Sequence, residues 1–157
     1  PISPAKKKDI SRVGSLPLTI PKSGLWLGCM GLLPFLAGAA WVITPGLPLK
    51  SIALKALILY GAVILSFLGG VRWGLVIAKM NAKLARPLIF SVIPSILGWV
   101  AALLEPRAGL LILALAFSSL YVADLKLSLA PDWYKSLRLP LTAGAVMALL
   151  LGLINNE

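Results

Sequence analysis

The sequence contains no histidine, a single cysteine and only five acidic residues. Without histidine, the serine–histidine–aspartate and cysteine–histidine arrangements of nucleophilic catalysis cannot be assembled. The usual zinc, haem and iron–sulfur ligand sets are excluded together, since they draw on histidine and multiple cysteines. Cys29 stands alone inside an apolar stretch, so an intrachain disulfide is ruled out. Met30, Met80 and Met147 are too few and too scattered to argue for a haem or pigment site. No catalytic, cofactor-binding or metal-binding set is expected, and the chain is not read as an enzyme.

Charge is the second scarcity. Only 13% of the 157 residues are charged, while 59% are hydrophobic and the mean hydropathy is +0.96. A soluble domain carries about 25% charged residues and about 45–50% apolar ones. A chain this short cannot hide so much apolar surface from water, because small domains leave much of theirs exposed. Lipid removes the difficulty. The net charge of +10 would suggest nucleic acid in a soluble protein. Here the basic residues lie between apolar runs, where they set membrane topology, and no nucleic-acid partner is expected.

What remains is a series of apolar runs. Residues 1–24 form a basic, proline-containing tail with Lys6, Lys7, Lys8, Arg12 and Lys22 against Asp9. It is read as non-helical, and not as a signal peptide, because no small-residue cleavage site follows. The runs are Leu25–Ile43, Ile52–Ala78, Leu88–Leu104, Ala108–Ala123 with a possible extension to Leu129, and Leu139–Ile154. At about 1.5 Å per residue against a hydrocarbon core of about 30 Å, the first two span with ease. The third and fifth, at about 26 and 24 Å, need flanking residues. Strand alternation is absent, and lipid-exposed backbone must satisfy its hydrogen bonds internally. The expected fold is all-α, a bundle of five transmembrane helices over residues 25–154 with a short polar end at 155–157. The stretch from Ala130 to Arg138 is read as interfacial.

Five crossings place the tail and the second and fourth connections on one side. Their basic residues number eleven, counting Lys79, Lys83, Arg86, Lys126, Lys135 and Arg138, against Lys50, Lys55 and Arg107 on the other side. The positive-inside rule then puts the N-terminus inside and the C-terminus outside.

Arg72 is the one charge well inside an apolar run, and its expected partner is Asp124, which the fourth run carries to the same leaflet. Such a residue marks either an ion path or a structural ion pair, and a lone pair does not make a relay across a membrane. The structural pair is preferred. Pro34 and Pro94 favour kinks in their helices. Gly24 and Gly28, Gly70 and Gly74, and Gly144, Ala148 and Gly152 recur at four-residue spacing, which suits close helix packing within the bundle or against another subunit. Trp26, Trp41, Trp73 and Trp99 lie near run ends as an interfacial belt. Trp133, Tyr134, Lys135 and Arg138 are placed at the interface, where they anchor the chain and can meet lipid head groups.

Three stretches carry a resemblance: Leu65–Gly74, with Gly69, Gly70, Arg72, Trp73 and Gly74; Ser91–Trp99, with Pro94, Gly98 and Trp99; and Asp132–Tyr134 followed by Leu137, Arg138, Leu141 and Thr142. Together they resemble the family of domain of unknown function 3429, to which transmembrane protein 69 belongs, over roughly residues 25–154. The resemblance implies a membrane fold in a bacterial or mitochondrial setting and no known reaction.

Two functions compete. The first is a non-catalytic accessory subunit of a larger membrane complex, such as one of the respiratory chain, with lipids and other subunits as partners and the mitochondrial inner membrane as its expected place. The second is a small transporter or channel with Arg72 and Asp124 in its path. The first is preferred because the runs offer few polar residues, chiefly Ser66, Ser118, Ser119 and Tyr121. No small-molecule substrate is evident, and a bacterial inner membrane would give the same charge pattern.

Overall fold

A computed structural model describes residues 22–78, 85–126 and 132–155. The described residues form five helices joined by short connections, without a strand among them. They are α1 (Lys22–Ile43), α2 (Lys50–Ala78), α3 (Ala85–Leu103), α4 (Pro106–Leu125) and α5 (Asp132–Ile154). α1, α2, α4 and α5 are each long and apolar enough to cross a membrane. α3 is shorter, with 19 residues.

The packing shows that α3 nevertheless traverses the bundle. α2 and α4 run parallel: Gly61 meets Leu113, and Arg72 meets Asp124 farther along both helices. The chain must return between them. α3 does so, placing Ser91 beside Gly69 of α2 and Ala101 beside Gly109 of α4. α1 and α5 are likewise parallel, with Gly24 against Trp133, Gly28 against Leu141 and Leu32 against Gly144. This is the arrangement of an up-and-down bundle with an odd number of helices. α2, the longest, touches all four others.

Each long helix turns one stripe inward at the spacing that keeps side chains on one helical face. On α4 the stripe is Leu110, Leu113, Phe117, Leu120 and Asp124; on α5 it is Arg138, Thr142, Ala145, Leu149 and Gly152. Phe35 of α1 stacks edge-on to Tyr60 and Phe117, at 5.1 and 5.8 Å between ring centroids, and closes the centre of the core. The opposite surface of each helix is rich in exposed Leu, Ile, Val, Phe and Trp, as a bilayer requires.

The ends of the helices follow local chemistry. Glu105 caps α4, its carboxylate accepting from the Ala108 N–H at 3.2 Å, with Pro106 at the first helical position, where no N–H is needed. Only Leu104 and Glu105 therefore separate α3 from α4. The turn after α1 is fixed by Gly46 at φ 79° and by the Trp41 Nε1–H, which donates to the Pro48 carbonyl at 3.0 Å.

Two expected boundaries are corrected. α1 begins at Lys22, three residues before the expected run; the rest of the proposed tail lies outside the described residues, as do Lys79 and Lys83. The stretch Asp132–Arg138 is helical and continuous with the fifth run, forming the start of α5. Its polar composition disguised it. Asp132 sits favourably in the first turn, where the helix dipole is positive, and the Ser136 hydroxyl donates to the Asp132 carbonyl at 3.1 Å. With that turn included, α5 has 23 residues and needs no help to span.

Candidate functional site

α2, α4 and α5 each bring one charged residue to the same place. Arg72 Nη1 donates to Asp124 Oδ1, and Arg138 Nη2 donates to Asp124 Oδ2, both at 3.1 Å. The side chains of Asp124 and Arg138 are 8% and 6% exposed, and that of Arg72 is 15% exposed. Arg72 and Asp124, partners expected from the sequence, are brought together in the structure. It adds Arg138, for which the sequence suggests an interfacial place but no ion-pair partner. The cause is simple: Arg138 lies on the inward stripe of α5, one turn before Thr142. Extending that stripe back by one turn was the available signal.

The cluster lies beneath the helix ends. Arg72 is six residues before the end of α2, and Arg138 is six residues after the start of α5, about 9 Å at helical rise in each case. Asp124 occupies the last turn of α4. A carboxylate there faces the negative end of the helix dipole, which disfavours it. Two guanidinium groups offset that penalty and the cost of removing the carboxylate from water. The formal charge of the cluster is +1. Each Asp124 oxygen receives one N–H, and Arg72 Nε, Arg138 Nε and Thr142 Oγ1 are buried without a hydrogen-bond partner among the described residues.

Arg138, Thr142, Trp133 and Tyr134 border a cavity of about 610 Å³ between α1, α2 and α5, otherwise lined by apolar groups. It exists because the half of α1 toward Lys22 touches α5 through Gly24, Gly28 and Leu32 without burying a residue. The buried residues of α1 are Phe35, Ala39 and Val42, all beyond Pro34, and none lies in the half toward Lys22. Arg72 borders a smaller cleft of about 200 Å³ with Ile93, Pro94 and Leu97 of α3 and Ser119 of α4.

The remaining expected site residues divide. Trp133 packs over Gly24 and stands edge-on to Tyr134, at 6.1 Å between centroids, and both border the larger cavity. Lys135 stays at the start of α5 and pairs with Asp132 at 3.9 Å. Gly144 faces Leu32, and Gly152 faces Leu57. Gly70 and Gly74 do not pack within the bundle: a side chain added at either would meet nothing within 4 Å. The closest helix approaches occur instead at Gly69 and Gly109, where an added Cβ would lie 2.6 Å from the Ser91 carbonyl and 2.5 Å from the Ala101 carbonyl. Ser118 and Ser119 are exposed and donate to the Ala114 and Ala116 carbonyls of their own helix, so they do not extend the cluster into a polar path. No group of three or more metal-binding side chains occurs among the described residues.

The chain is similar to two curated proteins called transmembrane protein 69. It is 39% identical to that of Xenopus tropicalis over 145 residues, covering 87% of this chain and 56% of the relative. It is 29% identical to that of Mus musculus over 160 residues, covering 98% of this chain and 62% of the relative. The chain thus spans little more than half the length of these relatives. No solved structure matches it. The model of a protein family of unknown function, DUF3429, matches residues 20–154, which is nearly the whole helical bundle, and the chain belongs to that family.

Proposed function

We propose that this protein is a non-catalytic accessory component of a larger membrane assembly, such as a respiratory-chain complex of the mitochondrial inner membrane. The observation that carries this reading is the distribution of polar groups. The buried charges are gathered near one end of the bundle and are spent on one another, tying α2 to α4 and α5. Beyond them the buried side chains among the described residues are apolar apart from Ser91 and Thr142. A conduction path needs polar groups or water along its whole length, which argues against the transporter reading. The open surface at Gly70 and Gly74 of α2 leaves room for a close approach by another helix. Membrane lipids and other subunits are the partners this reading assigns.

The reading orients the N-terminus inside and the C-terminus outside. With Arg138 placed in the bundle, ten basic residues flank the helices on the N-terminal side and three on the other, so the bias survives the correction.

Native purification tests the assignment. The protein is expected to co-migrate in fixed ratio with a large complex after mild-detergent solubilisation. Migration only as a monomer or homodimer would remove the accessory-component reading.

A further inference from the structure

We propose that the cavity between α1, α2 and α5 is a binding site for one acyl chain of an anionic phospholipid, with the acidic head group held by Arg138. This does not depend on the partner complex.

Three independent observations converge on it. The first is charge. Arg72 and Arg138 face one carboxylate, so the cluster keeps an uncompensated positive charge in a place where burial makes it costly. An anion would neutralise it. The second is the placement of Arg138. It lines the cavity, and the one guanidinium nitrogen it gives to Asp124 is Nη2. Arg138 Nε and Thr142 Oγ1 are also without a partner, but both atoms are closed off from the cavity.

The third observation is the shape and setting of the cavity. Its volume, about 610 Å³, lies within the range of small-ligand sites, about 300–1,000 Å³. From the Trp133 and Arg138 end it extends past Gly31 to Phe35 and Ala145, toward the middle of the bundle. Leu27 and Phe67 on its border are 74% and 64% exposed, so it communicates with the surrounding bilayer. The polar end is at the depth of the cluster, whose arginines spring from α2 and α5 about 9 Å beneath the helix ends and whose Asp124 lies in the last turn of α4. That is near the boundary between head groups and acyl chains, so a phospholipid can reach it sideways with its head group at its usual level. A neutral quinone would leave the charge uncompensated. Phospholipid is chosen over free fatty acid because anionic phospholipid is an abundant component of the leaflet facing the basic side.

The test uses the full chain in vesicles of equal phosphatidylglycerol and phosphatidylcholine with a trace of oleate. After extraction in mild detergent, native mass spectrometry counts the lipid retained per protein. One phosphatidylglycerol should be retained in roughly tenfold preference, as one decade of affinity corresponds to a modest charge-assisted hydrogen bond. Gly31→Leu places a side chain in space that is open to 4 Å and should abolish that retention. Equal retention of both phospholipids, retention unaffected by Gly31→Leu, or no retention at all would overturn the proposal. Retention of oleate in place of phosphatidylglycerol would overturn the assignment to a phospholipid. A second measurement needs no cavity variant. With Trp26, Trp41, Trp73 and Trp99 replaced by Phe, the fluorescence of Trp133 should be quenched more strongly by brominated phosphatidylglycerol than by brominated phosphatidylcholine in an intact bilayer. Equal quenching would contradict the site.

Discussion

Asp124 is the residue on which the buried charges depend. Each arginine in the cluster has the same carboxylate as its partner, so the three substitutions are not equivalent. Removing Arg72 leaves a neutral Arg138–Asp124 pair, and removing Arg138 leaves a neutral Arg72–Asp124 pair. Removing Asp124 leaves two guanidinium groups facing each other without an anion. Breaking a buried pair from one side costs about 3–5 kcal/mol. Asp124→Asn should reach that range and lower the thermal midpoint in detergent well below that of Arg72→Leu, because Arg72 is the most exposed of the three. Equal midpoints for the two variants would mean that Asp124 does not hold the arginines. The sequence made part of this legible. Arg72 stood out because its run is otherwise apolar, and Asp124 because it was the acid within reach. Arg138 did not, because Asp132, Lys135 and Arg138 together look like a wet interfacial segment. Their separation into a solvated first turn and an inward second turn is visible only once the register of α5 is fixed by Thr142, Ala145 and Leu149.

At the scale of the helices, hydropathy located the spans well but not their contact faces. Apolar length is a property of each run by itself. Which glycines carry a crossing is decided by the neighbour, and four-residue spacing says nothing of the neighbour. Gly70 and Gly74 have that spacing and face open space, whereas Gly69 sits against the backbone of α3 and Gly109 against the same helix farther along. The difference gives a contrast within one family of substitutions. Gly109→Ala drives a methyl group to 2.5 Å from a carbonyl oxygen that cannot move without moving α3, and overpacking of this kind costs about 1–3 kcal/mol. Gly74→Ala should leave the midpoint unchanged in the isolated protein. Thermal unfolding of the two purified variants checks the pair, and equal stability would contradict the close packing of α3 on α4. α1 shows the same point in reverse. It is as hydrophobic as its neighbours, yet its half toward Lys22 buries no residue, which no reading of hydropathy could reveal.

For the whole molecule, the parallel packing of α2 with α4 and of α1 with α5 requires the chain to cross back between each pair, so the two ends of the bundle lie on opposite sides. The proposed orientation, N-terminus inside, rests on the charge bias. In protease protection of sealed membranes, a tag after residue 157 should be cut from the outside, and a tag before residue 1 only after solubilisation; the reverse pattern would overturn the orientation. The central claim is that the buried charges are a structural tie among α2, α4 and α5, without a part in moving ions. A tie of that kind can be replaced by apolar packing as a unit, since exchanging a whole buried ion cluster for hydrophobic side chains is often neutral or stabilising. The most direct measurement is the thermal midpoint of the triple variant Arg72→Met, Asp124→Leu and Arg138→Met beside that of Asp124→Asn. The triple variant is expected to recover most of the stability that the single variant loses. A triple variant as unstable as Asp124→Asn, or an Asp124→Asn protein as stable as the unaltered chain, would contradict it.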